Sequence, residues 1–320
     1  SRYMSGGDDV VPDVPFQTFD YMYLADTVEF ANALKQAQAL QHDLGAATKH
    51  MTPDQIKRDY PFYMLDDIIA GNHNLIDEGY FDGNTLFDWW KRSARERGVE
   101  YIRNEVVDVH CNTLGSRVDT VSLKSGEQIA CGTVVNASGP RAAVTARMAG
   151  IELPVEPRKR YTFIFDAEHR LDRDLPLTVD PSGVHMRSEG DFYMAGCPPE
   201  VDHAVDFDDF AEDHAIWQEK LWPIIANRIP QFEAIKVINS WVGHYAYNTL
   251  DQNAIVGPHS KVGNFIFVNG FSGHGFQQSP AMGRGVSELI TYGTYRSLDL
   301  TPLGFSRIEN NKMFVENAVI

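Results

Sequence analysis

Cysteine is scarce in this chain. Its three thiols, Cys111, Cys131 and Cys197, are an odd number with no C-x-x-C pair. That excludes a disulfide framework and a zinc site built on paired cysteines, and it suits a reducing compartment. Neither H-E-x-x-H nor a paired Cys/His spacing occurs, so no metal is expected. No apolar run reaches the roughly 18 residues of a membrane-spanning helix. Low-complexity tracts and internal repeats are absent. Positive charge is short as well: 28 Lys and Arg stand against 44 Asp and Glu, a net charge of −16. Without a basic stripe there is nothing to neutralise phosphates, which excludes a nucleic-acid binder and disfavours an anionic membrane surface. A small molecule is the expected partner.

What is present is an ordinary globular composition, 43% hydrophobic and 22% charged over 320 residues. That length suits about two domains. A short aromatic run at 19–25 predicts a strand. Asp26-Thr27 predicts the start of a helix reaching 44, and Thr52-Pro53 opens another that Pro61 ends. After the turn-rich stretch 77–83 comes a helix over 84–97. Strands at 99–103, 105–110, 117–123 and 128–136 then form an antiparallel meander. A helix runs from Ser138-Gly-Pro140 to 148, and 154–157 reads as a linker. Beyond it, strands are expected at 160–166, 177–179, 184–187 and 192–195, with a helix over 207–225. Its acidic start (Asp206, Asp208, Asp209, Glu212, Asp213) offsets the helix dipole and lacks the spacing of a calcium loop. Strands at 240–247, 254–257 and 265–268 precede a last helix over 279–292.

The most informative stretch runs from Asn264 to Pro280. A buried apolar strand enters Gly270, Gly273 and Gly275, and a helix follows. Glycines let backbone N–H groups approach a ligand, and a helix N-terminus adds unpaired donors and partial positive charge. Such a corner suits an anionic or electron-rich group, including negative charge developing on a ring carbonyl. The spacing is G-x-x-G-x-G, not the dinucleotide G-x-G-x-x-G. By spacing alone, a tight turn needing glycine only for packing reads equally well. His244 and Tyr245 lie on the strand before the corner, where a histidine could serve as acid or base, or simply be hydrogen-bonded in the fold. His274 sits inside the loop, offering its backbone more readily than its ring. Arg158, Lys159, Arg160 and Tyr161 open the second half of the chain; Arg160 with Tyr161 could hold a carboxylate, or the run could be a solvated basic turn.

Gly270-Phe-Ser-Gly-His-Gly-Phe276 resembles the isoalloxazine-contacting loop of the sarcosine-oxidase-like flavoenzymes. Val134-Val-Asn-Ala-Ser-Gly-Pro140 resembles the strand end beside FAD in the same D-amino-acid oxidase and sarcosine oxidase superfamily. The resemblance extends to Trp241–Asn253, Val256-Gly-Pro-His259 and residues 77–82, and is closest to the FAD-dependent oxidoreductase domain-containing family linked to respiratory complex I assembly. It implies a mixed α/β architecture: a glutathione-reductase-like FAD domain lacking its first βαβ unit, from 74–150 and 241–320, and a mixed-sheet substrate domain from 1–73 and 151–240. It also implies hydride transfer from an amine or amino acid to flavin. Gly270, Gly273, His274, Gly275 and Phe276 would lie at the ring, and Ala137, Ser138 and Gly139 near the adenosine half. His244, Tyr245 and Gln277 are the candidate catalytic positions. Gln277 stands where the family's loop carries a carboxylate-binding lysine, and His244 where it carries its flavin-linking cysteine, so non-covalent FAD is implied. No lysine near 192–196 matches the family's oxygen-activating one. No G-x-G-x-x-G unit precedes residue 25, so an N-terminally truncated fragment that does not retain FAD is expected. The rival implied by the same resemblance is an assembly or scaffold factor without turnover, with a protein partner. The implied location is cytoplasmic, or the mitochondrial matrix in a eukaryote.

Overall fold

A computed structural model describes residues 14, 16–18, 21–74, 76 and 78–316. The first half contains β1 (Phe16–Gln17), β2 (Tyr21–Ala25), α1 (Val28–Asp43), β3 (Lys49–Met51), α2 (Pro53–Asp59), β4 (Ala70–His73), β5 (Tyr80–Phe81), α3 (Gly83–Glu96), β6 (Val106–Cys111), β7 (Val118–Leu123), β8 (Gln128–Ala130), β9 (Val134–Asn136) and α4 (Ala142–Met148). The second half contains β10 (Val155–Ala167), β11 (Leu177–Val179), β12 (His185–Glu189), β13 (Phe192–Cys197), α5 (Trp222–Arg228), β14 (Ile235–Asn248), β15 (Ile255–Pro258), β16 (Phe265–Asn269), α6 (Gly275–Tyr292) and α7 (Ser306–Glu309). The early helices start at side chains able to cap them. Thr27 accepts from the Phe30 N–H, Thr52 and Gln55 form a reciprocal capping box with Pro53 at the first position, and Asp82 accepts from the Asn84 N–H.

An eight-stranded mixed sheet in the order β14-β10-β13-β12-β11-β2-β4-β3 draws its strands from both ends of the chain. Alternation sends Met22, Leu24, Tyr161, Phe163, Phe165, Met186 and Ala195 to one face, where they form the main core with Ile56 of α2 and Ile225 of α5. A second sheet, β15-β16-β9, pairs β16 parallel to β9. A second core lies between that sheet, the β6-β7-β8 meander and α4. The expected mixed α/β architecture is observed. Among the described residues, no helix is long and apolar enough to cross a membrane.

Five expected elements differ. The 128–136 strand is two: β8 pairs with β7 in the meander, while β9 pairs with β16 in the second sheet. Residues 99–103 join no ladder among the described residues, so the meander begins at β6. The 154–157 segment is not a linker: Val155 to Pro157 already pair with β14. Pro157 is tolerated there because β13 pairs with β10 only from Tyr161 onward, which leaves that edge without a ladder needing the missing N–H. The 207–225 helix begins only at residue 215, with a π-helical turn (Trp217–Leu221) feeding α5. Upstream, Asp206, Asp209 and Asp213 each accept the N–H two residues on, and these turns compete with helix. Finally, α6 starts at Gly275, one turn earlier than Pro280 suggested.

Candidate active site

The corner after β16 is built by left-handed backbone. Gly270 has φ +67°, Ser272 +48° and Gly273 +102°. A Cβ on Gly273 would lie 2.5 Å from the Tyr245 ring, so only glycine lets the loop lie against that side chain. Two bonds stitch the loop to β14: Ser272 N–H donates to the Ala246 carbonyl (3.1 Å), and Asn248 N–H donates to Ser272 Oγ (2.9 Å). The α6 N-terminus then begins at His274 with no side-chain cap and no acidic residue in its first turn. This contrasts with the capped α1, α2 and α3. Beside it, His274 Nδ1 and Asn269 Oδ1 are buried without hydrogen-bond partners among the described residues. Asn269 donates to Asn136 (3.3 Å), and Asn136 accepts from both Ser138 N–H and Ser138 Oγ. The carboxyl ends of parallel β9 and β16 therefore meet, with Ala137, Ser138 and Gly139 continuing from one and the glycine corner from the other. That is where open α/β sheets bind ligands.

Opposite the core, the large sheet presents an arginine, tyrosine and histidine face. Arg158 pairs across from Tyr245 in the β10–β14 ladder, and Thr162 lines up with Gly196 and hence His185. Two-residue alternation then puts Arg158, Arg160, His185, Arg187, Tyr245 and Tyr247 on one side. Arg158 lies 3.9 Å from the centre of the Tyr247 ring, Arg160 4.5 Å from that of Tyr245, and Arg187 4.0 Å from that of Tyr80. Each guanidinium also meets a carboxylate. Arg160 is bidentate to Asp202 (3.0 Å twice), Arg158 reaches Glu156 (3.3 Å), and Arg187 reaches Glu189 (2.5 Å). Burial, reinforced by Arg160 and Arg187, holds the His185 imidazole down at about 4, so it is neutral at neutral pH. Burial raises the Tyr245 phenol, against the pull of Arg160. Tyr21 is raised by burial and then by Glu78. Tyr245 joins the two halves, touching Gly273 on one side and Arg160 on the other.

The candidate residues separate accordingly. Gly270, Gly273, His274 and Gly275 make the corner, and Gln277 occupies its first helical turn, exposed. Phe276 packs on Phe81 (5.3 Å) and fills the space a Cβ on Gly83 would need. Arg160 and Tyr245 lie on the shared face. Tyr161, the next residue along β10, points into the core instead. His244 also points away from the corner. Its Nε2 donates to the Asp209 carbonyl (2.8 Å), and its ring stacks on Phe210 (4.4 Å). Strand period is the reason, since adjacent residues cannot share a face. Sequence reasoning missed His185, Arg187, Tyr21 and Tyr80. The signal was there in His185-Met-Arg-Ser-Glu189, whose alternate residues are all polar or charged.

A family model described as "DAO: FAD dependent oxidoreductase" matches residues 8–289. The chain is 34% identical to FAD-dependent oxidoreductase domain-containing protein 1 of Xenopus laevis, over 96% of this chain and 67% of that protein. It is 24% identical to the mitochondrial sarcosine dehydrogenase of Mus musculus, over 85% of this chain and 30% of that one. The crystal structure of L-proline dehydrogenase from P. horikoshii shares the fold, with TM-score 0.82 and 24% identity over 94% of this chain and 79% of that chain.

Proposed function

This chain belongs to the DAO family of FAD-dependent oxidoreductases, and from that premise we propose that it oxidises an amine or amino acid, of the N-methyl amino acid or related type, between the glycine corner and the arginine–tyrosine face. The residues present fit a flavin. The N–H groups of the α6 start and the His274 and Asn269 atoms without partners among the described residues form a polar edge, and Gly273 lets that loop close against Tyr245. Gly270, Gly273, His274, Gly275 and Phe276 would hold the ring, and Ala137, Ser138 and Gly139 the adenosine half. Bound there, the flavin supplies a two-electron acceptor; the chain supplies orientation and electrostatics. Non-covalent binding is part of the proposal, since β14 carries no cysteine and His244 faces away. The single observation that carries the reading is Tyr245, which ties the corner to the substrate face. Tyr21, Tyr80 and Tyr245 would wall the substrate, and the paired arginines would orient its polar group.

The test is a titration of the purified chain with FAD, followed by anaerobic addition of sarcosine, glycine or L-proline. The expected result is a bound flavin band that bleaches with at least one of the three. A chain that stays colourless at high FAD sinks the proposal, and so does a bound flavin that none of them reduces. The same titration decides the expectation that the chain does not retain FAD. A second reading, an assembly factor with a protein partner, draws on the exposed apolar run Val99, Tyr101, Ile102, Val106 and Val107. A bound but unreducible flavin would favour it. Cys111, Cys131 and Cys197 are unpaired, which supports placement in a reducing compartment, the cytosol or a mitochondrial matrix.

A further inference from the structure

Three features single out His185 on the substrate face. Its ring lies against the backbone of β13, where a Cβ on Gly196 would be 2.7 Å from His185 Nε2. It sits between Arg160 and Arg187, the two guanidinium groups that also act on its charge. Its Nδ1 is buried and has no hydrogen-bond partner among the described residues. A buried polar atom without a partner is costly, and such an atom calls for an explanation, a ligand among them. The charged groups around the ring are already matched: Arg160 with Asp202 and Arg187 with Glu189. Two neighbouring cations also oppose a proton on the imidazole, so the ring remains a neutral acceptor over the working pH range.

We infer that His185 is a positioning residue whose Nδ1 accepts a hydrogen bond from the N–H of the bound amine, which turns the amine's neighbouring C–H toward the glycine corner. The inference rests on the proposed amine oxidation and names a residue for it. His185 does not take the substrate's proton; it fixes where the nitrogen sits.

The test compares wild type, His185→Phe and His185→Asn, each loaded with FAD, using sarcosine, glycine and L-proline as probes. His185→Phe is expected to raise KM about tenfold, the loss of one hydrogen bond of about 1.4 kcal/mol, with a smaller change in kcat. His185→Asn keeps an acceptor and is expected to stay within about threefold of wild type. Independently of turnover, 15N spectra of histidine-labelled protein should show the His185 nitrogens untitrated between pH 5 and 8, with Nδ1 shifting when the reducing amine is added. The His185→Asn spectrum assigns the signals. An unchanged KM in His185→Phe, or an Nδ1 signal that ignores a bound amine, overturns the inference while leaving the proposed oxidation standing. If no probe bleaches the wild-type flavin, the oxidation falls and the inference with it. Should His185→Phe fail to fold, the Asn variant and the spectra still decide.

Discussion

Gly273→Ala is the sharpest perturbation of the corner. A methyl group there would sit 2.5 Å from Tyr245 Cε2, 2.6 Å from Cζ and 2.9 Å from Oη, all inside contact distance. Position 273 also holds φ +102°, which an L side chain adopts only under strain. Strain at such a backbone position costs on the order of 1–3 kcal/mol. Forcing the tyrosine ring aside adds about 1–3 kcal/mol of overpacking. Together they should destabilise the fold by roughly 2–6 kcal/mol, read as a lower urea midpoint at unchanged slope. The two contributions separate in a double-mutant cycle with Tyr245→Ala. Truncating the ring removes the clash but leaves the backbone strain, so Gly273→Ala should cost less in that background by about 1–3 kcal/mol. The flavin reading adds a second readout. Displacing Tyr245 from the corner should weaken FAD binding at least tenfold, about 1.4 kcal/mol. If the two substitutions add to within about 0.5 kcal/mol, the loop does not rest on Tyr245 and the reasoning about the corner is wrong.

Other predictions follow from buried charge. Arg307 makes two bonds to Asp251 (2.7 and 3.1 Å), both side chains are buried, and Asp251 also accepts the Phe314 N–H. Arg307→Met should therefore cost about 3–5 kcal/mol in urea unfolding; a cost under about 1 kcal/mol would refute the assignment of that pair as an anchor for residues after 300. Arg228 likewise bridges Asp180 and Asp67 (2.8 Å each). Arg228→Met should cost a similar amount, and the cost should shrink when Asp180→Asn is added. Acid stability has a defined sign at His73, which burial holds at about 4 against an ordinary value of 6.5. Its contribution is fully present above pH 6.5 and is lost as pH falls toward 4, because the unfolded chain binds the proton first. His73→Gln should flatten that part of the stability–pH curve, and an unchanged slope would show that His73 is not the group responsible.

Much of this protein was legible from local chemistry. Capping side chains at Thr27, Thr52 and Asp82 declare helix starts because the orphan N–H groups next to them need acceptors. The run from Phe265 to Gly275 declares a strand, a corner and a helix because the left-handed backbone of a tight corner favours glycine, as at Gly270 and Gly273. Tertiary contacts decided the rest. Pro157 reads as a break until β14 pairs with one edge of β10 and leaves the other edge free to lack a donor. The acidic run 206–213 reads as a helix start until its aspartates bond their own backbone and Asp208 and Asp209 meet Arg141 and Lys159. Above all, alternation says that His244 and Tyr245 must face opposite ways, but it does not say which of them faces the corner. The ladder with β10 and the contact with Gly273 settle that, because they lock strand register against a loop some thirty residues away in the chain. The same register brings His185 between Arg160 and Arg187, an environment made by three strands and visible in none of them alone.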